Sequence, residues 1–290
     1  MFKIITDNGA DLPQDWLTEN HVDCIYLSTI LDGEVIAGKD KELSAADFYK
    51  MLSNGAKPST SQINPEQARQ YFQEHINDAD EFLYIGISSG LSGTVGSVRT
   101  GVAEVLEAHP DKKIEVVDSL TASLGEGLVV WHAARMRDEG KSLEETAKWL
   151  NDNIQHFLLA FTVDNLFDLW RGGRVSRTSA IVGTLASVKP FLIVDPEGKL
   201  QVPKKLRGRK KSLAYLIENL ELHKAAEYAE NNDMIMICHG NVPDDAEYVR
   251  QLAEEKFGYK NVLMSNVGPM IGTHTGASLV VLSFMGDARY

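Results

Sequence analysis

The sequence predicts an α/β protein of two domains, each a mostly parallel sheet covered by helices, with a ligand site at the domain interface. Three observations predict it. Apolar runs of strand length alternate with helical patterns from one end of the chain to the other, the order that crossover helices impose on parallel strands. The 290 residues are enough for two ordinary domains or one large α/β unit. The composition, 43% hydrophobic and 24% charged, is that of a globular chain and excludes disorder and low complexity.

The elements follow in order. Phe2–Thr6 reads as a first strand, its apolar run being too short for a signal peptide. Cys24–Ser28 is a second strand, and Ala45–Leu52 a helix. Pro65–Ile76 is a helix with a legible start, Asn64 as N-cap and proline at the first helical position. A strand at Phe82–Ser88 then feeds a small-residue loop into a helix at Thr94–Glu107, and a strand follows at Lys113–Val117. Two helices, Leu124–Asp138 and Leu143–Ile154, flank Glu139-Gly140-Lys141-Ser142. A new series opens at Phe157: strands Phe157–Val163 and Phe191–Val194, helix Leu213–Glu230, strand Met234–Cys238, helix Asp244–Lys256, and strands Val262–Asn266 and Leu279–Phe284. The boundary is expected near residue 156, giving domains 1–156 and 157–290. Neither a repeat nor a Pro- or Ser-rich linker separates them, so a tight interface is expected, and such interfaces are the default ligand clefts.

Charge narrows the function. With 29 Lys+Arg against 41 Asp+Glu the net charge is −12, which disfavours a general nucleic-acid coat. Residues 1–155 carry 13 basic and 26 acidic side chains, whereas Arg171 to Lys211 carries 11 basic residues against Asp195 and Glu197. A basic island on an acidic chain suits a phosphate or an acidic partner, where a solvated face would mix both signs. The two cysteines, Cys24 and Cys238, lie far apart, which excludes a disulfide framework and a thiolate zinc cage and fits a reducing compartment such as the cytoplasm. Asn261 to Gly286 lacks charged residues, but glycines, Pro269 and His274 interrupt it before it reaches the ~18–20 apolar residues of a membrane span.

Four loops carry the polar residues that chemistry needs. Ser88-Ser89-Gly90-Leu91-Ser92-Gly93-Thr94 enters a helix N-terminus, where free backbone N–H groups, hydroxyls and the positive dipole end favour a carboxylate or phosphate. Its glycines match neither GxGxxG nor a P-loop, although Asp118, ending the next strand, stands where a ribose-binding acid would sit. Pro58 to Pro65 contains Thr60, Ser61 and Gln62, which the helix cap does not explain. Gly268 to Gly276 holds His274 between threonines, able to donate to an anion or act as an acid/base. No second ligand stands at metal spacing, and no nucleophile elbow is present. Arg171-Gly172-Gly173-Arg174, then Arg177 and Lys204 to Lys211, supply arginines suited to bidentate phosphate or carboxylate recognition.

Taken together and in this order, TDNGADLP at 6–13, TSQINP at 60–65, SSGLSGT at 88–94, Asp118-Ser119, LWRGGRVS at 169–176, VKPFL at 188–192, RGRKK at 207–211 and GPMIGTHTG at 268–276 resemble the DegV family of fatty-acid-binding proteins. The resemblance implies one fatty acid buried in the N-terminal domain with its carboxylate at the interface, and no cofactor and no metal. The contacts it implies are Thr60, Ser92 and His274, supported by Ser61, Gln62, Ser89, Gly93, Thr94 and Thr273. It further implies that the chain is a lipid carrier without catalysis of its own, the partner being an ATP-dependent fatty acid kinase that docks on Arg171, Arg174, Arg207 and Arg209 and makes an acyl phosphate for phospholipid synthesis. The residues alone leave two alternatives: a phosphotransfer-type enzyme using His274, and a nucleotide-binding protein using the Gly90 loop, each acting on a phosphorylated small molecule.

Overall fold

The computed structural model describes residues 1–176, 187–224 and 234–289. Strands β1 (Lys3–Asp7), β2 (Val22–Ile25), β6 (Glu81–Gly86) and β7 (Lys113–Asp118) form a first sheet in the order β2-β1-β6-β7, parallel throughout. β1 and β6 are buried along nearly their whole length because both faces of this sheet are covered. Helix α4 (Thr94–Ala108), with α3 (Pro65–His75) against it, packs on β7, while α5 (Leu124–Asp138) and α6 (Leu143–Asn153) pack on β1, β6 and β7. A small antiparallel sheet, β4-β3-β5, joins β3 (Ser28–Leu31), β4 (Glu34–Ala37) and β5 (Ser59–Ser61); α1 (Gln14–Glu19) and α2 (Ala45–Ser53) complete this half.

The second sheet has six strands in the order β10-β9-β8-β13-β11-β12: β8 (Phe157–Thr162), β9 (Val188–Val194), β10 (Leu200–Arg207), β11 (Ile235–His239), β12 (Val262–Asn266) and β13 (Val280–Met285). Here the expectation of mostly parallel strands is corrected. Only β11 and β12 pair in parallel; the other four pairings are antiparallel. Between β9 and β10 the chain has only Asp195 to Lys199, too short for a parallel crossover, and Gly198 closes the turn at a φ of 74°. Helices α8 (Arg209–His223) and α9 (Pro243–Phe257) cover the outer face; residues 225–230 of the expected helix Leu213–Glu230 lie outside the described residues. Two short helices, α7 (Phe167–Arg171) and α10 (Pro269–Thr275), fall where the sequence suggested loops.

Helix α5 lies between the two sheets, touching β1 and β6 on one side and β8, β11 and β13 on the other. Its residues are buried around most of the circumference, from Leu124 and Leu128 through Val129, Val130 and Ala133, as befits a helix without a polar face. One apolar core therefore runs from Ile4 and Phe82 through Leu128 to Leu159 and Val281. The C-terminus is tied to this centre. Arg289, 6% exposed, donates from Nε and Nη2 to the Phe157 carbonyl (3.1 and 2.9 Å), from Nη2 to that of Ser119 (3.3 Å), and from Nη1 to that of Leu120. Burial lowers the pKa of its guanidinium to about 10.

Candidate functional site: a cavity between the sheets

The carboxyl ends of parallel strands are where open α/β sheets place ligands. Outside the ends of β2, β6 and β7, a cavity of about 320 Å³ is lined by Leu27, Ile87, Leu91 and Ala122 from the first half. Leu159, Phe161, Val194, Leu200, Leu279 and Val281 of the second sheet form its opposite apolar wall, and Met270 and Ile271 of α10 close a third side. Thr60, Ser61, Gln62, Ser92, Ser123, Arg174, His274 and Thr275 supply the polar atoms. The wall thus comes from both halves, where the resemblance implied a lipid buried in the N-terminal one. A larger hollow of about 1310 Å³ lies elsewhere, along Lys3, Asp23, Tyr71 and Arg137, and shares no residue with this cavity. Its lining mixes apolar side chains such as Phe2, Leu17 and Val22 with charges of both signs, Lys3, Asp23, Lys39, Asp40 and Lys41.

Each polar residue is placed by its own element. Thr60 sits on β5, which is polar and short and pairs with β3 opposite Thr29. The chain then turns into α3 through a capping box: Asn64 accepts from the Gln67 amide, and Gln67 accepts from that of Asn64. Gln62 reaches across to the second loop, its Oε1 accepting from the Gly93 amide at 3.0 Å. That loop folds around Ser88, whose carbonyl accepts from the Leu91 and Ser92 amides and whose hydroxyl donates to the Gly198 carbonyl at 2.8 Å. Gly90 approaches the β9–β10 turn so closely that a Cβ would lie 2.7 Å from the Glu197 carbonyl oxygen. Ser92 Oγ lies 2.9 Å from the Thr94 hydroxyl at the start of α4.

His274 meets Thr60 directly, Nε2 lying 2.8 Å from Oγ1. Its Nδ1 faces Gly172 and has no hydrogen-bond partner among the described residues. Burial, with Arg174 and then Arg171 adding to it, pushes the imidazole down to about 4, so it is neutral at pH 7. The positive charge at this end belongs to Arg174, which lines the cavity and donates to the carbonyls of Leu91 (3.3 and 3.2 Å) and Gly172. Two hydroxyls, a neutral imidazole and a half-buried guanidinium at the rim of an apolar cavity can hold an organic anion by its head and shield its tail.

Of the supporting residues, Ser61 and Gln62 reach the cavity and Gly93 is held by Gln62. Ser89 is exposed, its amide donating to Asp118. Thr94 is buried behind Ser92, and Thr273, 3% exposed, donates to the Pro269 carbonyl inside α10. Of the four arginines expected to form an exposed docking face, three are only partly exposed and make contacts within the chain. Arg174 faces the cavity; Arg171 is held by Asp168 (3.2 Å) and the Thr273 carbonyl (3.1 Å); Arg209 pairs with Asp245 (2.7 Å) and donates to the Ser278 carbonyl. Arg207 alone of the four is exposed, and Arg177 lies outside the described residues. Arginines among glycines pack inward here because carbonyls left free at short helix ends accept their protons. Thr275 was not named as a contact although it flanks His274 in the Gly268–Gly276 loop, and nothing in the sequence around Ser123 marks it.

A family model described as "Uncharacterised protein, DegV family" matches residues 1–287. The chain belongs to the DegV family. Among DegV relatives, a DegV domain-containing protein of Clostridium perfringens is 38% identical over 289 residues, covering 99% of this chain and 98% of its own. Among solved DegV structures, a Thermus thermophilus protein described by its fatty acid binding is similar at a TM-score of 0.85 and 28% identity, covering 98% of this chain and 99% of that one. Bacillus subtilis DegV, described as a fatty acid binding protein, is similar at 0.83 and 26%, covering 99% of each chain. No helix among the described residues of this DegV chain is long and apolar enough to cross a membrane, and they hold no cluster of metal-ligating side chains.

Proposed function

We propose that the chain binds one long-chain fatty acid in the interdomain cavity and presents its carboxylate to a separate ATP-dependent fatty acid kinase. The observation that carries this is the 2.8 Å contact between Thr60 and His274 at the polar rim of an apolar cavity whose rim also holds Ser92 and Arg174. The fatty acids described for the Thermus and Bacillus relatives support it. Thr60 and Ser92 donate to the carboxylate, His274 orients Thr60, and Arg174 supplies charge balance. The kinase transfers the γ-phosphoryl group of ATP to a carboxylate oxygen, giving an acyl phosphate and ADP, and the product feeds phospholipid synthesis. The chain contributes binding and no catalytic group of its own.

Mass spectrometry of the denatured, purified protein is expected to release a fatty acid; an empty protein that binds ATP or a sugar phosphate would overturn the reading. Thr60→Ala or Ser92→Ala each remove one hydrogen bond to a charged group, worth ~1.5–3 kcal/mol when buried. Acyl-phosphate formation is expected to fall by about ten-fold or more in each. The tail stays bound, since each buried methylene contributes ~0.8 kcal/mol.

Arg207, exposed at the end of β10 with Lys205 beside it and Lys210 and Lys211 on α8, is the remaining part of the basic island suited to an acidic kinase surface. Arg207→Glu is expected to slow acyl-phosphate formation, more at low salt than at high, with the lipid still bound. Loss of the lipid, or an unchanged rate, would remove Arg207 from docking, and retardation of DNA at physiological salt would replace the kinase by nucleic acid.

A further inference from the structure

Behind the cavity wall, a buried carboxylate joins the starts of two helices, α5 and α10, that border the cavity. Asp11, in the loop after β1, is 8% exposed and takes a φ of 51°. Its Oδ1 accepts the Gly268 amide at 2.8 Å, and its Oδ2 accepts the Ser123 hydroxyl at 2.5 Å. Its backbone carbonyl accepts the Ser265 hydroxyl at 2.8 Å. Gly268 is the N-cap of α10 and has no side chain to cap it, and Pro269 follows without an N–H. Ser123 is the N-cap of α5, yet its hydroxyl makes no cap bond, because it is given to Asp11. Ser123 is itself held at a φ of 53°. Two residues in sparsely populated backbone conformations and a desolvated carboxylate are costly, and such costs gather where position matters.

We infer that Asp11 is a positioning residue: by holding the starts of α5 and α10 together it fixes α10, and so stands His274 against Thr60. The inference rests on the reading that this cavity takes a fatty acid. Ser123 and Ala122 line the cavity at the start of α5, and Met270, Ile271 and His274 line it along α10, so the separation of the two helix starts sets the cavity's width. Asp11 has no cationic partner among the described residues; burial, partly offset by its two donors and reinforced by Asp7, pushes its carboxyl up to about 7. A buried acid kept under those conditions serves the two helix ends it touches.

The test uses the full chain stripped of lipid, hexadecanoate as probe in titration calorimetry, and the His274 imidazole followed by NMR. Asp11→Ala is expected to weaken hexadecanoate binding by about ten-fold, as the start of α10 loses its tie to that of α5. It is also expected to move the His274 pKa from about 4 toward the ordinary 6.5 as the ring leaves its buried place. Asp11→Asn, whose amide can accept from Gly268 and donate to Ser123 Oγ, is expected to restore both. Val249→Ala, in the core behind the second sheet, serves as a control for plain destabilisation and is expected to move neither. Should Asp11→Ala fail to fold, Ser123→Ala removes one of the two bonds and is read in the same way. Unchanged binding and an unchanged His274 in these variants would overturn the inference, as would equal losses in Val249→Ala. If wild-type protein does not bind hexadecanoate, the fatty-acid reading fails, and the His274 titration still decides the role of Asp11.

Discussion

Gly172→Ala is expected to disable the site by crowding His274, with every polar group of the rim still present. A Cβ built on Gly172 lies 2.2 Å from His274 Nδ1, a separation that real atoms do not tolerate. Either the imidazole moves and gives up its 2.8 Å contact with Thr60, or α7 moves away from α10 and strains the Arg171 bond to the Thr273 carbonyl. Overpacking of this kind costs ~1–3 kcal/mol. The expected result is a folded protein with a slightly lower Tm whose retained lipid falls by about ten-fold or more, read by mass spectrometry after purification. A crystal structure of the variant with the Thr60–His274 contact intact and the ligand in place would sink the prediction.

Arg289→Ala carries the largest expected loss of stability. The guanidinium satisfies the carbonyls of Phe157, Ser119 and Leu120, and Leu120 is held at a φ of 48°. Truncation leaves three buried acceptors without donors, each costing ~1–3 kcal/mol. A loss of about 3 kcal/mol or more in unfolding free energy is expected, read as a lower urea midpoint with the m-value unchanged. Arg289→Lys is expected to recover little, because one ammonium cannot reach acceptors spread around a planar fork. A loss below about 1 kcal/mol would show that water replaces the arginine.

The polar loops that meet at the rim were legible in the sequence, while the choice of Thr60, Ser92 and His274 within them came from the family resemblance. Hydroxyls flanking Gly90 and Gly93, the Asn64–Pro65 start signal, and a histidine in an uncharged stretch each violate what a plain loop requires. The parallel first sheet was legible from its buried apolar runs. Strands β3, β4, β5 and β10 were not, since Ser59–Ser61 and Leu200–Arg207 are largely polar, and only their pairing partners make them strands. Helix α10 was hidden by its glycines and threonines; packing of Met270 and Ile271 overrides their low propensity. The direction of Arg174 was hidden for a different reason. Net charge reports how many cations a segment holds, and which of them point inward depends on carbonyls contributed by Leu91, distant in sequence.

Helix α5 has a consequence for how the molecule comes apart. Its apolar surface is divided between the two sheets, so neither sheet possesses a complete interior without it. The two segments on either side of residue 156 are therefore expected to unfold together in one transition, checked by coincident calorimetric and circular-dichroism melting. Swinging one half away on a hinge would expose Leu128, Val129 and Val130 on one side or the other, at ~1.5–3 kcal/mol for each side chain. A ligand of the proposed cavity would then be expected to enter by small displacements at its rim, beside α7 and α10, with the centre of the molecule closed.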